Sequence, residues 1–260
     1  MSTDAISNSR ANFSNLSSTT ASMTSGSQIN RAADNPSGLA VANGLTTDIN
    51  SQSTGLRNAA DGISILQTAN GATQGITVNL QRMYELSIQS MNGTLNDSQR
   101  NLLDSEFQQG LQEINRIIET TQFNGVSLFN GENPDINLAL GDSSSTLTMP
   151  TLNNDLLSLN GLSISNLASA SASVDSLKTA IETMSSTQAE FGAQQNGLLS
   201  AISNMATGQT NDIASRSQIL DTDFARASVS KAREDILNQA GIMMLAQGNQ
   251  DKANILQLIR

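Results

Sequence analysis

The chain has 260 residues, 13 Lys+Arg against 23 Asp+Glu for a net charge of −10, and no Cys, His or Trp. Without imidazole or thiol there is no Ser-His-Asp triad, no Cys-His pair, no disulfide framework and no zinc site of the usual ligands. The acidic balance lacks the cationic footprint that nucleic acid or an anionic membrane surface requires.

Only 3% of the residues are aromatic and 37% hydrophobic, while Ser, Thr, Asn, Gln and Ala abound. A compact domain of this length needs more large apolar side chains for one thick core. The composition suits long, thin helices with narrow apolar seams. No apolar run approaches the roughly 18–20 residues that span a bilayer, so membrane insertion is not expected. Residues 1–10 are polar and lack the apolar stretch of a cleavable secretory signal. An enzyme would have to work with carboxylates, Lys or Tyr alone, and no cofactor or metal motif is present. Gly38, Gly44 and Gly55 are not followed by the Lys-Ser/Thr of a phosphate loop. Asp221, Asp223, Glu234 and Asp235 do not have EF-hand spacing.

Residues 1–42 are polar with sparse apolar positions: Ile6, Phe13, Leu16, Met23 and Ile29. From about 43 to 91 a helix is predicted. Leu45, Ile49, Leu56, Ile63 and Leu66 keep heptad-like spacing, and Ile76, Leu80 and Met83 resume it after a polar stretch at 70–74. Gly62, Gly71 and Gly75 weaken this helix by roughly 1 kcal/mol each relative to Ala, which close helix packing would explain. Asn92-Gly93 reads as a left-handed C-cap. A second helix starts at Asp97 or Ser98, with Leu102, Leu103, Phe107, Leu111, Ile114 and Ile118 on one face. The short connection makes the two helices antiparallel.

Turn signals then crowd together at Phe123-Asn124-Gly125, Asn130-Gly131 and Gly141-Asp142, with partial alternation at 126–129 and 136–140. Residues 125–165 are predicted as short hairpins and loops. The Ser and Thr residues of 143–173 form either a plain polar loop or acceptors for O-linked sugars. The clearest period follows. Val174, Leu177, Ile181, Met184, Phe191, Leu198, Ile202 and Met205 alternate in steps of three and four, with Gln188 and Gln195 in the gaps, and Ile219 keeps the phase. A last helix over 221–260, N-capped by Asp221 or Thr222, carries Phe224, Val229, Ile236, Ala240, Met243, Met244 and Leu256. Neither chain end can bury its apolar residues alone. Each needs the other or a neighbouring molecule, as in a protomer whose ends order on assembly.

The motifs at both ends carry a resemblance. Arg31-Ala32-Ala33-Asp34-Asn35-Pro36-Ser37-Gly38-Leu39, Leu56-Arg57-Asn58-Ala59-Ala60-Asp61-Gly62, Asn79-Leu80-Gln81-Arg82 and Thr121-Gln122-Phe123-Asn124-Gly125 resemble, in order, the N-terminal blocks of bacterial flagellins. Asp221-Thr222-Asp223-Phe224-Ala225, Met244-Leu245-Ala246-Gln247 and Leu256-Gln257-Leu258-Ile259-Arg260 resemble the C-terminal signature. The opening Met1–Ile6 departs from the family's usual Ile-Asn-Thr-Asn-like start. Between 125 and 165 there is no room for the large outer domains of longer flagellins, so the chain resembles a minimal form.

The resemblance implies a mainly α fold: a long antiparallel, coiled-coil-like helical rod with a small β-hairpin region and paired N- and C-terminal helices. Residues 1–42 plus 221–260 would form an inner helical domain lining the filament channel, and 43–220 an outer rod. The implied role is a non-enzymatic structural subunit of the extracellular flagellar filament. Its implied partners are further copies of itself, the flagellar type III export apparatus, an export chaperone and the cap protein. Two alternatives stay open: a hook–filament junction protein, which would stop at a short ring, and a secreted helical binding module. Phe224, Ile236, Ala240, Met243, Met244 and Leu256 are the inner-domain assembly candidates. Arg82, Leu86 and Glu106 match family positions that touch the vertebrate Toll-like receptor for flagellin. They are read either as that receptor patch or as an axial contact between subunits.

Overall fold

The computed structural model describes residues 2–131, 135–153 and 156–258, apart from the side chains of residues 2–6, 8, 9, 252 and 255–258. Helices dominate: α1 (Ser2–Ser25), α2 (Pro36–Ser90), α3 (Asp97–Thr120), α4 (Leu167–Leu220) and α5 (Phe224–Leu258). Between α3 and α4 lie two antiparallel hairpins, β1 (Gln122–Phe123) with β2 (Val126–Ser127), and β3 (Asp135–Leu140) with β4 (Ser143–Thr148). The chain divides into two compact units, one of residues 1–49 with 209–260 and one of residues 50–208.

Helix starts follow one chemistry. Asn35 Oδ1 accepts from Gly38 N at 2.9 Å, with Pro36 at the first helical position of α2, where its missing N–H costs nothing. Asn96 and Gln99 form a reciprocal capping box at α3, with bonds of 2.9 and 3.0 Å. Asn166 Oδ1 accepts from Ser169 N at α4. At α5 the cap is Asp223, whose Oδ1 accepts from Ala225 N and Arg226 N, and not Asp221 or Thr222. Those two are engaged elsewhere: Asp221 takes the Ser217 hydroxyl, and the Thr222 hydroxyl donates to Ser22 O.

The end of α2 also differs from the expectation. Gly93 is not in the left-handed region. Instead Arg100, from the first turn of α3, donates from Nε to Ser90 O at 3.0 Å and from Nη2 to Asn92 O at 3.1 Å, while Nη1 lies 3.4 Å from Asp97 Oδ1. The guanidinium is buried and satisfies carbonyls that a helix end leaves open.

In the unit of residues 50–208, α2, α3 and α4 share one core with the hairpins. Of the predicted seam in this unit, Leu66, Leu177, Met184, Phe191 and Leu198 are buried, while Leu56, Ile63, Ile181, Ile202 and Met205 are half-buried. Small residues fill the spaces between them: Ala59, Ala69, Ala170 and Ala180 are fully buried. In the other unit Ile49 is buried and Leu45 half-buried. Asn124 (φ 50) and Gly125 (φ 79) form the two-residue turn between β1 and β2, both in the left-handed region that a type I′ hairpin needs. Gly141 (φ 69) opens the β3–β4 turn.

The β3–β4 hairpin lies directly on α2. A Cβ at Gly62 would collide with Leu138 Cδ1, and one at Gly55 would sit 2.6 Å from Gly141 N and 2.8 Å from Leu140 C. Between these glycines Asn58 Nδ2 donates to Ala139 O at 2.8 Å. Gly62 is thus a packing requirement, whereas Gly71 has nothing within 4 Å of an added Cβ.

Residues 149–153 and 156–166 form a strap of turns that buries Met149, Leu152, Leu157, Leu159 and Ile164. Polar side chains pin it to all three helices. Ser90 donates to Ile164 O (2.5 Å), Ile164 N donates to Asp104 Oδ1 (2.7 Å), Gln108 Nε2 to Leu162 O (2.9 Å) and Ser173 to Ser163 O (3.1 Å).

Gly55→Ala is expected to lower stability by about 1–3 kcal/mol, because backbone atoms cannot move aside cheaply. Gly71→Ala is expected to raise it by up to about 1 kcal/mol through helix propensity alone. Urea denaturation of the monomer checks both signs. Arg100→Met, which keeps most of the volume, should cost about 1–3 kcal/mol by leaving the carbonyls of Ser90 and Asn92 open; the same denaturation curves measure it.

Candidate interaction surfaces

In the unit of residues 1–49 and 209–260, α1 and α5 pair. Among the described side chains neither helix has a buried residue; the buried apolar residues of this unit are Ile29, Ala42 and Ile49. The half-buried positions of α5 are Ala227, Ser230, Lys231, Glu234, Asp235, Asn238, Ala240, Gly241, Leu245 and Gly248, polar or small except for Leu245. Thr19 donates to Glu234 Oε1 at 3.3 Å across the pair. Glu234 Oε2 and Asn238 Oδ1, one turn apart, are withdrawn from solvent without a hydrogen-bond partner. Lys231 bonds Asp235 at 2.9 Å.

The apolar face of α5 points the other way. Val229, Ile236 and Met243 recur every seven residues and are 70%, 66% and 66% exposed, with Met244 at 76% and Phe224 also exposed. Ala240 is half-buried, and the side chain of Leu256 lies outside the described residues. Phe13 on α1 is exposed as well. An apolar stripe turned to solvent beside a polar intramolecular face is the reverse of a self-sufficient helix pair, and such stripes mark contact surfaces. No helix among the described residues is long and apolar enough to cross a membrane.

The second surface lies on the α2–α3 hairpin. Arg82 reaches Glu106 Oε1 with Nε at 3.0 Å and Nη2 at 2.7 Å, and Glu85 Oε2 with Nη1 at 3.3 Å. The hydrogen bond to Glu106, then that to Glu85, holds the Arg82 pKa above its ordinary value. All three side chains are about half exposed or more, so the network contributes little to folding and leaves charge available to a partner. Leu86 does not join it. It is 1% exposed and sits in the core, because four residues advance a helix about 40° past a full turn and the edge of the buried face passes between 82 and 86. Leu102 departs from its sequence reading in the opposite sense. The buried face of α3 is centred on Phe107, Ile114 and Ile118, and Leu102 stands 73% exposed, one turn from Glu106. Periodicity accounts for the difference: Leu103 lies four residues from Phe107, about 40° off its direction, whereas Leu102 lies five residues away, about 140° off.

Neither surface holds catalytic machinery. A cleft of about 410 Å³ beside β1, β2 and β3 has walls of Ile65, Phe123, Val126, Leu128 and Ile136, with Asp135 as the one titratable group among its described lining residues. Among the described residues no group of three or more Asp or Glu could hold a metal ion.

Comparison with known proteins accounts for this arrangement. A family model described as the bacterial flagellin N-terminal helical region matches residues 1–134, and one described as the bacterial flagellin C-terminal helical region matches residues 174–259. The flagellin of Halalkalibacterium halodurans is 37% identical over 92% of this chain and 89% of its own length. The flagellar filament core protein flaB2 of Brachyspira hyodysenteriae is 34% identical over 94% of this chain and 92% of its own. Among solved structures, Bacillus cereus flagellin is similar with a TM-score of 0.51 at 33% identity, over 57% of this chain and 88% of that one. With both end regions matched and full-length relatives above 30% identity, the chain belongs to the bacterial flagellin family.

Proposed function

We propose that this chain, a structural subunit of the extracellular flagellar filament and not an enzyme, assembles by burying the outward apolar stripe of α5 against neighbouring copies. The observation that carries the proposal is the exposure of Val229, Ile236, Met243 and Met244 on a helix whose half-buried face is polar or small except for Leu245. Charge distribution supports it. Residues 50–208 hold 5 Lys+Arg against 14 Asp+Glu, a net of −9, while residues 1–49 and 209–260 hold 8 against 9, a net of −1. The part with the exposed stripe can therefore crowd against copies of itself with little repulsion. In this reading residues 1–42 and 221–260 form the inner, channel-lining layer and residues 43–220 the outer one. Passage through the flagellar export apparatus, with its chaperone and the cap protein as partners, belongs to the same reading. A terminal pair that buries no described side chain is easily opened for transit.

The charged surface of Arg82, Glu85 and Glu106, with Leu102 beside it, is the second contact. It serves as an axial contact between copies, and in the free subunit as the patch seen by the vertebrate receptor for flagellin. Leu86 supports it from beneath.

Electron microscopy tests the assembly. Protein dissociated by acid or heat and returned to neutral pH with short seeds should give long filaments of uniform width. Short closed rings would point to a junction protein. Met243→Glu/Met244→Glu should abolish elongation while the monomer's urea transition stays in place, since both side chains are exposed; filaments formed normally by this variant would remove the stripe from the interface. Arg82→Ala/Glu106→Ala should leave the monomer's denaturation curve unchanged and reduce receptor-reporter signalling at least ~10-fold, as loss of a charged hot spot does. Signalling at the unmutated level would show that the receptor does not read this patch.

A further inference from the structure

Between α1 and α2, and again between α4 and α5, the chain leaves the helix for a few residues, and these two short segments meet. Ser27 and Asp221 form an antiparallel β-bridge. Gln28 N donates to Leu220 O at 2.7 Å and Thr222 N to Gly26 O at 2.9 Å. Side chains add to it: Gln28 Nε2 donates to Ile219 O at 2.6 Å and the Thr222 hydroxyl to Ser22 O at 3.2 Å. Gly26, at φ 72, makes the turn out of α1 that brings the segment alongside. We propose that this bridge is a clasp from which the terminal helix pair closes, and that its closure sets how fast a subunit is added to a growing polymer. The proposal rests on the filament-subunit reading for its second half only.

The terminal helices lack the usual means of holding a pair together. A helix pair is ordinarily held by its buried seam, but no described side chain of α1 or α5 is fully buried, and of their described large apolar residues only Leu16, Met23 and Leu245 are even half-buried. Isolated helices gain little from propensity alone, and most helical stability comes from tertiary packing. The pair must therefore be held by something directional. Going outward from the clasp toward α1 and α5, the hydrogen bonds run antiparallel: Ser22 with Thr222, then Thr19 with Glu234. The clasp contact adjoins the ends of both helices. Once it forms, α1 meets α5 at the high effective concentration of a short tether; while it is open, the two helices belong to independent chain ends. A closed pair presents the α5 stripe as a formed surface. An open pair has to be ordered by the polymer end at each addition, which slows docking.

The hydrogen-bond pattern makes the clasp testable. Because the bonds run between the flanking residues, Ser27 and Asp221 are a non-hydrogen-bonded pair, whose Cα atoms lie ~4.5 Å apart. That is within disulfide range. The chain has no Cys of its own, so full-length Ser27→Cys/Asp221→Cys has one possible intramolecular bridge. Oxidised and reduced forms of the same monomer are compared, which cancels the effect of the substitutions. Locking the clasp should slow amide hydrogen exchange at least ~10-fold in α1 and α5 and leave exchange in residues 50–208 unchanged. It should also speed seeded elongation ~10-fold. Gly26→Val is the converse: nothing lies within 4 Å of the added Cβ, so only the positive φ is strained, and exchange in α1 and α5 should rise while elongation slows. Equal exchange in the oxidised and reduced monomers overturns the clasp as the closing point. Faster elongation absent despite slowed exchange overturns its control of assembly. If the unmutated protein adds to no seed at all, the filament-subunit reading fails, and the exchange data still decide the clasp.

Discussion

How closely α2 lets its neighbours approach governs the unit of residues 50–208. With 3% aromatic residues the chain has few large side chains to fill a core, so packing density has to come from bringing backbones together. Gly55 and Gly62 do this under the β3–β4 hairpin, and Ala59, Ala69, Ala170 and Ala180 do it along the helices. Leu138, Leu140 and Leu147 become core residues because the hairpin is seated on α2 without an intervening layer. Arg100 fixes the corner at which α3 turns back along α2, and the strap of residues 149–153 and 156–166 supplies the remaining apolar surface. The Arg82–Glu106 pair forms because that corner sets two exposed charges on antiparallel helices side by side.

The terminal unit follows a different logic. Its helix pair is specified by capping, by a backbone bridge and by isolated polar contacts, not by a buried seam. Polar contacts fix register more than they contribute stability. The large apolar side chains that would ordinarily stabilise the pair are on its outer face. A chain built this way has its specificity inside the subunit and much of its hydrophobic driving force reserved for contact between subunits.

The parts legible in the sequence are those with long-range period. The seams of α2 and α4 could be read because Leu66, Leu177, Met184, Phe191 and Leu198 sit on a sustained heptad, and the Asn-Gly turn at 124–125 because its backbone demands those residues. α1 was not legible as a helix: its apolar residues are sparse, and its partner is a polar face rather than a core. The strap was illegible for a related reason. Met149, Leu152, Leu157, Leu159 and Ile164 follow no period, and the strap that carries them is held by hydrogen bonds with Ser90, Asp104 and Gln108, which lie far away in sequence. Arg100 in a first helical turn reads as a solvated charge until the end of α2 is placed beside it. At the candidate surface, the meeting of Arg82 with Glu106 followed from the short antiparallel connection. The inward turn of Leu86 depended on a rotation of less than one residue step, which spacing cannot resolve, whereas the outward turn of Leu102, five residues from Phe107, was legible in the spacing.

The seating of the β3–β4 turn bears on where this chain can carry foreign sequence. Two-residue hairpin tips at the surface are ordinarily the cheapest places to lengthen a chain. The tip at Gly141–Asp142 is not free in that sense, since Gly141 rests on Gly55 and on the backbone of Gln52. Extra residues there would lift the hairpin off α2. Gly161, exposed, at φ 69 and with open space around it, sits in the strap just before the pinned segment. A displayed epitope would be carried on the strap at that point, and rejected at the hairpin tip that looks like the obvious choice.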